Sequence, residues 1–98
     1  MKKINMGLDN PDLYSECEIK EVAGRLTLVT SPEQAMNIIG RNARAWVNSV
    51  HSTERDAVTL TGAMSVWAYL VVFHAVVHNF AKVYYDDGRG NILLLAQH

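Results

Sequence analysis

The chain has one cysteine, Cys17, among its 98 residues, so no internal disulfide can form. It also lacks a charge excess. Nine Lys and Arg stand against ten Asp and Glu, which argues against duplex DNA or an anionic membrane as partner while leaving room for a small local anion site. A long hydrophobic run is missing too. The most apolar stretch, Val66 to Val77, is interrupted by Tyr69 and His74 and is shorter than the ~20 residues a bilayer needs, so it reads as a buried helix. Nothing after Met1, Lys2 and Lys3 leads into an apolar signal segment, and a cytoplasmic protein is expected.

What is present is apolar: 49% of the residues are hydrophobic. Ordering a chain of this length costs on the order of 100 kcal/mol in entropy, so nearly all of that apolar surface has to be buried, with a second subunit as a plausible helper. One domain over residues 1–98 is the expectation, with homo-oligomerisation left open. Ala57 to Phe80 contains no Asp, Glu, Lys or Arg and marks the core.

Residues 1–13, with Gly7 and Asp9-Asn10-Pro11-Asp12, read as an irregular arm or a short edge strand. Tyr14 to Val22 alternates as an exposed strand, and Ala23-Gly24 turns it into Arg25 to Val29, giving a hairpin. Ser31-Pro32-Glu33-Gln34 is a helix start, with a capping hydroxyl, proline at the first helical position and a Gln that closes a capping box. Ala35, Met36, Ile39, Ala43, Trp46, Val47 and Val50 then repeat at helical spacing, with Gly40 as a weak point. Ala57 to Thr61 is a strand ending at Gly62, and Ser65 is expected to cap a helix to about His78. Ala81 to Tyr85 and Asn91 to Ala96 flank an Asp86-Asp87-Gly88-Arg89-Gly90 turn. The order β-β-α-β-α-β-β makes a small α/β domain, with a parallel strand-helix-strand unit closed by an antiparallel hairpin.

Three features can carry chemistry. Free N–H groups at Gly62 to Ser65 suit a phosphate, although an ordinary tight turn has the same form. His74 and His78 lie one helical turn apart; the paired-histidine zinc protease pattern needs a Glu where Ala75 stands, so that enzyme is excluded. A hydrogen-bonded core histidine and a polar helix terminus are the plainer reading of the pair. Asp86 follows on the next strand, but about six extended residues span roughly 20 Å, so a joint site with His78 calls for two subunits. Trp46 and Trp67 read as core or dimer contacts, Cys17 as an unreactive thiol, and His98 as a fraying end.

Gly62-Ala63-Met64-Ser65-Val66-Trp67, His74-Ala75-Val76-Val77-His78, Val83-Tyr84-Tyr85-Asp86, Gly90 and Gln97-His98 together resemble the small CRISPR-associated Csx-three, or Crn-three, ring nucleases. That family has a Gly-x-Gly-Pro-Ile-Trp-like turn, two histidines four apart and a Tyr-Asp-Pro-Arg turn, and the resemblance covers roughly residues 56–98. It implies a CARF-like (Rossmann-like) homodimer that binds cyclic tetra-adenylate, the second messenger of type III CRISPR defence, and cuts it with Mn²⁺ while two dimers sandwich the ring. His78 and Asp86 match its catalytic pair, Arg89 is nearest to its turn arginine, and Gly62, Ala63, Met64, Ser65 and His74 fall at ligand-contacting positions. Ala63 and Met64 replace the family's Arg and second Gly, and Asp87 replaces its proline. The chemistry this implies has Asp86 and Asp87 holding the ion, with His78 as general acid/base or further ligand. Alternatives are a sensor or sponge that binds the ring without cutting it, an exonuclease that removes adenylates from RNA 3′ ends, and a structural dimerisation module.

Overall fold

The computed structural model describes residues 2–98 as a small α/β domain with a mixed sheet and two helices. Its strands are β1 (Lys2–Asn5), β2 (Ile19–Val22), β3 (Arg25–Leu28), β4 (Ala57–Thr61), β5 (Lys82–Asp86) and β6 (Ile92–Gln97); its helices are α1 (Pro32–Ser49) and α2 (Val66–Val76). Four strands form one sheet in the order β1-β4-β5-β6, parallel except for the antiparallel β5–β6 pair. The strand-helix-strand unit and its closing hairpin are therefore as expected. β2 and β3 make a separate two-stranded ribbon through Ala23-Gly24, also as expected.

At the start of the chain the short edge strand allowed for residues 1–13 is present, which adds a strand to the expected order, and the expected strand from Tyr14 is corrected. Lys2–Asn5 is a true edge strand, so the order is β-β-β-α-β-α-β-β. Tyr14 to Glu18 is not a strand: Glu16 has φ 77°, which breaks an extended run, and Tyr14 turns inward. Tyr14 is almost fully buried and its hydroxyl donates to the Met6 carbonyl, tying the loop after β1 to the core. Burial pushes its phenol well above the ordinary range.

α1 forms where its capping signals place it, with Ser31 Oγ accepting from the Gln34 N–H at 3.4 Å. It buries Ala35, Ile39, Ala43 and Val47 on one face. Gly40 faces α2: a Cβ there would lie 3.4 Å from Val71 Cγ1, an ordinary packing distance, and 3.2 Å from Arg44 Nη1, the far end of a flexible side chain, so the apparent weak point lies where the two helices pack. Both helices cover the sheet face that carries Ile4, Val58, Leu60 and Val83, and this is the core. The opposite face bears Lys3, Thr59, Tyr84 and Leu94 in one row.

Ile39 is fully buried, so Ile39→Ala is expected to lower stability by about 2–5 kcal/mol, read from urea unfolding. Met36→Ala, at a solvent-facing position of the same helix, should cost only a fraction of that.

Candidate functional site

The three parallel strands finish together, with Asn5, Thr61 and Asp86 in register across the sheet. In open α/β sheets this end is where ligands bind. Gly62 follows β4 with φ +106°, and a Cβ there would lie 2.7 Å from Asn5 Oδ1 and 3.0 Å from the Gly7 nitrogen. Only glycine fits so close to the loop after β1. Met64 and Ser65 line a groove of about 440 Å³ between the β2–β3 ribbon and the start of α2, with Leu8, Leu26, Leu28 and Trp67. Gly62 and Ala63 stand exposed beside it. Ser65 occupies the cap position, but its side chain makes no capping hydrogen bond, contrary to expectation. The first turn of α2 thus keeps N–H groups that a bound anion could satisfy.

Tyr69 joins these parts, and sequence reasoning missed it. Its hydroxyl donates to the Gly62 carbonyl and its ring meets Tyr85 edge-on at 5.4 Å. Burial, with Tyr85 and then Asp86 adding negative charge nearby, pushes its phenol up to about 12. The clue was its place one helical turn after Ser65, which points it back over the start of α2.

Asp86 and Asp87 open the β5–β6 turn. Asp86 Oδ1 accepts from the Gly88 N–H at 2.8 Å. Asp87 is more heavily engaged: Oδ1 accepts from the N–H groups of Arg89 at 2.7 Å and Asn91 at 3.2 Å, and Oδ2 accepts from Asn91 Nδ2 at 2.9 Å. The Asn91 side chain first, and the Arg89 N–H second, hold the Asp87 carboxyl below its usual range. Arg89 projects from this turn into solvent.

The histidines occupy the other end of the sheet. α2 stops at Val76, two residues short of the expected His78, which sits in the turn that follows. The His74 and His78 ring centroids are 6.3 Å apart. His98 joins them at 6.2 Å from His78. Its N–H donates to the Ala81 carbonyl at 2.8 Å, so the expected fraying end is docked at the foot of β5. His74 also lines a cleft of about 240 Å³ with Arg44, Asn48 and Asn79. From Lys82 to Asp86, β5 alone spans roughly 13 Å, so within one chain Asp86 and His78 stand at opposite ends of the sheet. Among the described residues, no three His, Cys, Asp or Glu side chains gather to hold a metal ion. The Asp86, Asp87 and His78 set expected for Mn²⁺ is not assembled within one chain.

Trp46 stacks on Phe80 at 5.8 Å as a core contact, whereas Trp67 lines the groove. Burial raises the Cys17 thiol against the opposing pull of Arg41, which disfavours the thiolate. No helix is long and apolar enough to cross a membrane, among the residues described. Compared with known proteins, the chain matches no family model, no curated protein and no solved structure.

Two outcomes follow from the titrating groups. The Asp87 turn stabilises the fold fully above about pH 4 and loses that effect as pH falls through the lowered pKa, so Asp87→Asn should lower Tm at pH 7 and leave it unchanged near pH 2. Tyr69, raised instead, stabilises below about pH 10 and loses this as pH rises through about 12. Tyr69→Phe should cost about 1 kcal/mol at pH 7 and remove one high tyrosinate transition from an ultraviolet titration.

Proposed function

We propose that the chain is a ring nuclease of the Csx-three type, which linearises cyclic tetra-adenylate and so switches off a type III CRISPR response. The observation that carries this reading is the gathering of His74, His78 and His98 at one end of the sheet, opposite a strand-end groove with free helix N–H groups. Cutting an RNA-type phosphodiester needs a proton carrier and charge stabilisation on the phosphate. His78 is the general acid/base, with His98 and His74 flanking it. Gly62, Ala63, Met64 and Ser65 grip the ring phosphates, and Asp86 and Arg89 border that grip from the β5–β6 turn.

A ring held at the groove of one CARF-like copy lies beyond reach of the same copy's His78, and is met by His78 of a second copy stacked end to end. Asp86 and Asp87 would hold an Mn²⁺ that would supply charge stabilisation on the phosphate, while the proton transfer belongs to His78. The separation of Asp86 from His78 in one chain also favours a second reading, a sensor that retains the ring without cutting it.

Incubation with cyclic tetra-adenylate, with Mn²⁺ or with a chelator, followed by chromatography, tests the proposal. Linear product is expected, and His78→Ala or Asp86→Ala should each slow its formation by about 10²–10⁴-fold. Mixing the two inactive variants should restore part of the activity, because each supplies the group the other lacks. Retention of an intact ring by the unmodified protein would mean the sensor, and neither cutting nor retention would sink both readings.

A further inference from the structure

Toward their C-terminal ends α1 and α2 leave a cleft of about 240 Å³ between them. Its polar lining comes from Arg44 and Asn48 of α1, His74 of α2 and Asn79 of the turn that follows α2. All four are hydrogen-bond donors, and Val47 and Ala75 form the apolar remainder. No carboxylate is among them.

Helical spacing builds this arrangement. Arg44, Val47 and Asn48 fall at i, i+3 and i+4 on α1, and Val71, His74 and Ala75 do the same on α2, so each helix turns one such face to the other. Arg44 Nη1 and Val71 Cγ1 both lie within 3.4 Å of the point where a Cβ on Gly40 would sit. The guanidinium therefore folds back along α1 on the side that faces α2.

Arg44 has no partner there. Among the described residues it makes neither an ion pair nor a hydrogen bond, whereas Arg41 is held by Glu16 and Arg55 by main-chain carbonyls. Glu33, in the first turn, is the single acid of α1, and α2 has none. A guanidinium in a cleft that no carboxylate shares is left for an outside anion to neutralise.

Helix C-terminal ends normally disfavour an anion, because their free carbonyls carry partial negative charge. Here two of those carbonyls beside the cleft are already taken. Val47 accepts from Arg55 Nη2 at 2.9 Å, and Ala75 accepts from Asn79 Nδ2 at 3.1 Å. Arg55 also brings a second guanidinium to the end of α1.

We propose that the α1–α2 cleft is an oxyanion site that takes a phosphate dianion, free or as the end group of a phosphomonoester. The Arg44 fork meets two of its oxygens, and Asn48, His74 and Asn79 donate to the rest, Asn79 Nδ2 retaining a second hydrogen for this. The volume suits a phosphoryl group and falls below the ~300 Å³ at which sites for larger organic ligands begin. Arg44, Asn48 and Asn79 have no part in the ring-nuclease reading, and the proposal stands without it.

Titration of ¹⁵N-labelled protein with inorganic phosphate, beside a chloride titration of equal ionic strength, tests the site. Saturable shifts are expected at the side-chain N–H groups of Arg44, Asn48 and Asn79, with a dissociation constant on the order of 1 mM. Arg44→Gln should weaken binding about 10-fold or more, and so should Asn48→Asp, which exchanges a donor for a carboxylate. Both residues are exposed, so the far-ultraviolet circular dichroism should not change, and if one variant misfolds the other decides. Arg25→Gln, which removes an arginine on the β2–β3 ribbon, should leave the affinity as it is. Ribose 5-phosphate separates the two sources: binding as tight as that of phosphate assigns an ester's end group, exclusion assigns the free ion, and either supports the site. Shifts that stay linear or that chloride reproduces, unchanged affinity in folded Arg44→Gln or Asn48→Asp, or a loss in Arg25→Gln would each overturn the proposal.

Discussion

Parallel pairing of β4 with β1 and β5 is the constraint from which the rest of this molecule follows. Parallel neighbours cannot be joined by a tight turn, so the chain has to travel back over the sheet between them, and α1 and α2 make those returns. Every position from Ala57 to Leu60 is buried, and Val58 and Leu60 supply the surface on which both helices rest. Apolar side chains on that strand are therefore held by the helices on one face and by neighbouring strands along both edges.

The same constraint gives the domain two chemically different ends. Strand ends and the start of α2 collect at one, where Gly62, Tyr69 and Asp86 meet through a hydrogen bond, a phenol held neutral by burial, and a turn carboxylate. The end of α2, the foot of β5 and the end of β6 collect at the other, where three imidazoles gather. The free N–H groups at the start of α2 and the three imidazoles are thus separated by the length of β5.

Much of the fold was legible because its signals are local. Ser31-Pro32-Glu33-Gln34 started α1 as read, and Ala23-Gly24 supplied the hairpin turn with φ values of +53° and +76°. Tyr14 misled because alternation over a few residues is compatible with any extended segment, and only packing into the core beside Met6 decided that its ring points inward. Ser65 misled differently: a serine before an apolar run marks the right position, but whether its hydroxyl turns to the backbone is settled by its surroundings. Gly40 looked like a defect from propensity alone, since the helix it faces lies some thirty residues further along the chain.

The sequence by itself determined most of the elements, their order in the second half, and the candidate residues for chemistry: His74, His78, Asp86 and the Gly62 to Ser65 turn. These depend on backbone preference and on spacing within one or two helical turns, which short-range sterics and hydrogen bonding govern. Tertiary structure alone decided that His98 docks beside His78, that Tyr69 bonds to Gly62, that Lys2–Asn5 is the edge strand beside β4, and that His78 and Asp86 stand apart. Strand order and register bring together residues far apart in the chain, and no local propensity encodes which partner each strand takes.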